Sequence, residues 1–165
     1  MLEQLIEILR EQNCSLVVEC RGEVHTYHKK GVRDLVWLLD HEPWRLKGAL
    51  VADKVVGKAS AGLLAQGGVS AVYAQVLSRL ATPLLDHAGI AYRYGELVDR
   101  IVIPDGDTRC PLEQIVAPAH DAPEVERLLR QHFEAMRGRP AAGSLCVRDS
   151  SRSTPTSAGS LLPDC

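Results

Sequence analysis

The stretch "VVGKASAGLL" (residues 55–64) sets a lysine directly after a glycine, where a helix should begin. A helix start carries free N–H groups and the positive end of the backbone dipole, so it draws anions. A lysine is the wrong charge for such a place unless an anion joins it. A P-loop would need a glycine five residues before Gly57 and a Ser or Thr after the lysine. The chain has Ala52 and Ala59 there. The chemistry expected is therefore more general. Asp53, Lys54, Lys58 and Ser60 are the candidate residues for holding a small anionic or nucleotide-like ligand. The competing reading pairs Lys58 with a structural acid such as Asp53 and assigns the small residues to helix–sheet packing.

Cys110 is the second candidate. Arg109 stands beside it and Pro111 suits the first turn of a helix, so both the guanidinium and the dipole favour thiolate. Cys110 is the candidate catalytic nucleophile on that ground, although no histidine is near in sequence to serve as its base. The alternative is a small buried hydrophobe. The five cysteines contain no CxxC pair. His25 and His28, three apart in a strand, point to opposite faces, and the remaining histidines are scattered. No metal site and no cofactor is expected.

The elements that must position these groups can be read from periodicity. Leu2, Leu5, Ile6 and Leu9 have helical spacing. "CSLVVEC" and "EVHTYHK" are β-rich runs around Arg21-Gly22, which predicts a hairpin. "VRDLVWLLDH" (32–41) returns to the helical period before Pro43. "LKGALVADKVVG" is a buried strand with Asp53-Lys54 as a candidate turn within it. A helix follows from Lys58 to about Gln66, closed by Gly67-Gly68. Then come a strand at 69–77, a short helix ending at Gly89, and a strand at 90–94. "CPLEQIV" and "PEVERLLRQHFEAM" predict two further helices. Alternation of strand and helix from Lys47 argues for parallel pairing. The expected fold class is α/β, a three-layer α/β/α sandwich with a mixed sheet and an N-terminal hairpin. Residues 1–137 form its single domain. The Gly-, Pro- and Ser-rich stretch 138–165 reads as a disordered tail.

Composition bounds the partners. The chain has 165 residues, 45% hydrophobic and 24% charged, with a formal net charge of −2. That is one globular domain without the basic excess of a nucleic-acid binder. No apolar run approaches the ~20 residues of a membrane span, and the start lacks the basic region of a signal peptide. The expected protein is cytoplasmic, with no nucleic-acid or membrane partner; a second copy of the chain is a further candidate partner.

"ADKVVGKASAGLL", "VYAQVLSRLA", "AGIAYRY" and "CPLEQ" resemble the family called domain of unknown function 1893, most specifically from Val51 to Glu113. That resemblance implies a cytidine-deaminase-like fold. Zinc deaminases of that fold carry H-x-E or C-x-E at one helix start and P-C-x-x-C at the next. The corresponding positions here are Lys58-Ala59-Ser60 and Leu77-Ser78-Arg79-Leu80, and neither supplies a ligand set. A deaminase-like domain lacking the zinc site is expected. Binding of a small anion or nucleotide-like ligand is its leading role, with a Cys110 thiol enzyme or a non-catalytic interaction module as alternatives.

Overall fold

A computed structural model of the chain describes residues 1–29, 32–101 and 111–138. Helix α1 (Leu2–Glu11) precedes a hairpin of β1 (Leu16–Cys20) and β2 (Glu23–Tyr27). Helix α2 (Arg33–His41) leads through a 3-10 turn at Pro43–Arg45 into β3 (Leu50–Val56). Then follow α3 (Lys58–Gly67), β4 (Ala71–Ser78), α4 (Thr82–Ala88) and β5 (Ala91–Val98). Helices α5 (Pro111–Val116) and α6 (Ala122–Gly138) end the described chain. The fold is α/β, with a five-stranded mixed open sheet in the order β2-β1-β3-β4-β5. β1 runs antiparallel to β2 and β3, whereas β3, β4 and β5 are parallel.

The hairpin turns where Arg21 and Gly22 both take positive φ, 55° and 85°. That backbone matches the right-handed twist of the strands it joins. Helix α3 closes on Gly68, which has φ 78° and donates to the carbonyls of Ala65 and Leu64. A left-handed glycine at that place satisfies carbonyls the helix cannot.

Asp53-Lys54 is not a turn. β3 runs unbroken through both residues, held by β1 on one side and β4 on the other. The Lys54 amide also donates to the Ser15 carbonyl at 3.1 Å. Pairing on both edges overrides the poor strand propensity of aspartate and lysine. β5 likewise runs past residue 94, because its register with β4 continues through Glu96, Leu97 and Val98. The tail expected from 138 lies outside the described residues, except that Gly138 ends α6.

Helices cover the two faces unequally. One core joins Val18, Val51, Val72 and Leu77 of the sheet to Leu35 and Leu38 of α2, Leu63 and Leu64 of α3, and Leu85 of α4. Leu112 and Val116 of α5 and Val125 and Leu129 of α6 close this core from outside. The opposite face carries α1, whose Leu5, Ile6 and Leu9 pack on Val17, Ala52 and Tyr73. Helix α3 is the centre of the thick layer, with every residue from Ala59 to Leu64 buried. Its small side chains let α6 approach: a Cβ on Gly62 would lie 2.5 Å from Cγ1 of Val125. Gly62, one of the small residues that follow Lys58, thus has a packing role.

Candidate functional site

The carboxyl ends of β3, β4 and β5 open at one rim of the sheet, beside the start of α3. There the chain passes from Val56 through Gly57 into Lys58. Gly57 is the N-cap and makes no side-chain cap hydrogen bond. At the end of β4, the buried Ser78 hydroxyl accepts from the Leu80 amide at 3.1 Å. Arg79 bridges to the end of β5, its Nε donating to Oδ1 of Asp99 at 3.1 Å.

Lys58 has a partner within the chain. Its Nζ donates to the carbonyl of Ala117 at 2.9 Å, one residue past the end of α5. The cation therefore sits at the negative end of α5, where a lysine is stabilising. A side chain of α5 packs beside the start of α3 in turn. The buried Glu113 reaches the helix start so closely that a Cβ on Gly57 would lie 3.4 Å from its carboxyl carbon. Its Oε2 accepts from the Ile101 amide at 2.6 Å. Glycine at 57 is what allows Glu113 and Ile101 to come in. Lys58 at the start of α3 thus bonds the end of α5, while Glu113 of α5 packs beside Gly57. Glu113 looks in sequence like a capping-box residue for its own helix, and that pattern concealed its contact with another.

The other candidate residues divide between the two faces. Successive strand residues point to opposite sides. Val51 lies in the thick helical layer and Ala52 packs under α1. Asp53 follows Val51 and Lys54 follows Ala52. Lys54 accordingly donates from Nζ to Oδ1 of Asn13 at 2.7 Å, at the end of α1. Asp53 is buried in the middle of the sheet, its Oδ1 accepting from the Val55 amide at 3.2 Å. Burial pushes its carboxyl up to about 7, and the nearby charge of Asp34 adds to the shift. Ser60 is buried in the first turn of α3. Lys58 and Ser60 therefore share one helical turn, while Lys54 stands across the sheet from Asp53. Cys110 lies outside the described residues.

A catalytic zinc does not fit these positions. Zinc in a deaminase needs three nitrogen or sulfur ligands and an open place for water. The residue that the resemblance sets against the first deaminase ligand is Lys58, whose amine is held by a carbonyl. Among the described residues, no three His, Cys, Asp or Glu side chains gather where a metal ion could be held. No described helix is long and apolar enough to cross a membrane.

Comparison with known proteins gives a family. The model of the family named Domain of unknown function (DUF1893) matches residues 4–133. The crystal structure of a DUF1893 family protein from Thermotoga maritima is similar, with 28% identity and a TM-score of 0.73. The match covers 80% of this chain and 89% of that one. No curated protein matches the chain. The family match takes in all five strands and the Lys58 contact with α5, and the chain belongs to the DUF1893 family.

Proposed function

We propose that this domain is a deaminase-like fold without a catalytic zinc, and that it binds a small anionic or nucleotide-like ligand at the start of α3. The observation that carries the reading is the opening of α3 on Gly57, which has no side-chain cap, at the carboxyl end of a parallel strand. Ligands of open α/β sheets gather outside the carboxyl ends of the strands, and helix N-termini there take phosphates and carboxylates. Lys58 is the cation of such a site. One neutral carbonyl holds it, and a bound anion would make the stronger, charge-assisted bond. Glu113 sets the selectivity, because its carboxyl stands as a hydrogen-bond acceptor on one flank of the helix start. A ligand with both an anionic group and a hydrogen-bond donor suits that pair better than bare phosphate, and a nucleotide is such a ligand.

The test is a thermal melt of wild type and Lys58→Ala against inorganic phosphate and a panel of nucleotides. Without ligand, the variant should lose about 0.5–1.5 kcal/mol, the ordinary worth of one hydrogen bond. A nucleotide should raise the wild-type midpoint and leave the variant's unchanged. If no anion in the panel moves the wild-type midpoint, Lys58 serves only to hold α5, and the ligand reading fails.

A further inference from the structure

β5 is the longer of the two edge strands, with eight residues against five in β2. Among the described residues no strand pairs with its outer side. Ala91 and the run from Arg93 to Glu96 are exposed. An open edge of this length is a template for another strand, and proteins blunt such edges with proline or lysine. β5 carries neither.

Alternation slips once along this strand. In a regular strand, residues an odd number apart face opposite sides. Tyr92 and Leu97 nevertheless both pack against the thick helical core, and so do Val72 and Leu77, their neighbours in β4. Arg93 faces the other way, its Nη1 donating to Oε2 of Glu3 on α1 at 2.9 Å. Glu96 precedes Leu97 and so comes out on the side of Arg93. The slip makes β5 a palindrome about the Tyr94–Gly95 bond, with Tyr92 and Leu97 on the core side and Arg93 and Glu96 on the α1 side. Glu96 has no ion-pair partner among the described residues. The Arg93 side chain is still 56% exposed beside Glu3, which leaves room for a second acid.

We propose that β5 pairs antiparallel with β5 of a second copy of this chain, about a two-fold axis level with the Tyr94–Gly95 bond, so that the two sheets become one. A two-fold interface must be complementary to itself, and this register is. Arg93 stands opposite the partner's Glu96, and Tyr92 opposite the partner's Leu97. Opposite charges and apolar pairs directly across a ladder are the stabilising ones. Without the slip, Arg93 and Glu96 would lie on different faces and could not meet. At the axis, Tyr94 lies over the partner's Gly95, where an aromatic ring covers the place of the missing side chain.

Sedimentation equilibrium over a range of protein concentrations tests the pairing on the full chain. Wild type should be a monomer in equilibrium with a dimer. Glu96→Arg sets two like charges opposite each other at both symmetry-related places, and should weaken the dimer by about tenfold or more. Adding Arg93→Glu to that variant restores opposite charges in the same register and should recover most of the loss. Tyr94→Lys, which puts a lysine on the edge, should also favour the monomer. All four side chains involved are at the surface, and thermal melts at a concentration where every protein is monomeric should show the fold intact. The proposal is overturned if wild type stays monomeric at every concentration. It is equally overturned if the dimer survives Glu96→Arg and Tyr94→Lys, because another face then makes it. Failure of the double charge reversal to recover association overturns the register and the proposal with it.

Discussion

Gly62→Ala is expected to destabilise the protein by about 2 kcal/mol, against the sign that helix propensity predicts. In an open helix, alanine gains roughly 1 kcal/mol over glycine. Here the new Cβ would lie 2.6 Å from Cβ of Val125 as well as 2.5 Å from its Cγ1. A clash with a Cβ cannot be relieved by turning a side chain, so α6 must move as a body. Overpacking of that kind costs about 1–3 kcal/mol beyond whatever the substitution gains. The movement would also strain the neighbouring tie between Nε2 of Gln66 and Oε1 of Glu126, now 2.8 Å. Denaturant unfolding of Gly62→Ala, Val125→Gly and the double variant checks this. The double variant should lose clearly less than the sum of the two, because each change makes room for the other. A more stable Gly62→Ala would show that α6 does not press on α3 at this point.

Local chemistry made the frame of the molecule readable. Arg21-Gly22 announces a hairpin because few residues other than glycine accept the positive φ such a turn needs. Gly57 and the pair Gly67-Gly68 bracket α3 for equally local reasons. The partners across the fold left no such mark. Lys58 is bound by the carbonyl of a residue 59 positions later, and every residue type has a carbonyl. Glu113 stands where an ordinary first-turn acid would, and only the meeting of α5 with Gly57 gives it a second contact. Asp34 is likewise an unremarked acid at a helix start, the usual place for one. Its burial follows from where α2 packs in the folded chain. Asp53 and Lys54 were a readable case. Strand alternation alone separates them, once the run from Leu50 to Val56 is taken as continuous. The expectation of a turn between polar neighbours hid that separation and grouped them into one site.

The burial of Asp53 should also appear in the stability of the whole domain. Its unfolded carboxyl releases a proton near 3.8, and in the folded protein it does so at about 7. Between those values the folded state binds more protons than the unfolded one. The contribution of Asp53 is therefore fully present below about 4 and is lost as the pH rises through 7. At about 1.4 kcal/mol per unit, the shift amounts to something on the order of 4 kcal/mol. The exposed Glu3 and the half-buried Glu124, whose carboxyls are lowered by Arg93 and by the His120 amide, push the other way below pH 5. The difference between wild type and Asp53→Asn removes those common contributions. An asparagine oxygen can still accept from Val55, so the variant should match the wild type near pH 4 and exceed it by several kcal/mol at pH 8. Unfolding by urea at a series of pH values measures this directly. If the gap between the two proteins is the same at pH 4.5 and at pH 8, Asp53 titrates as an ordinary surface acid, and its position at the centre of the sheet carries no electrostatic penalty.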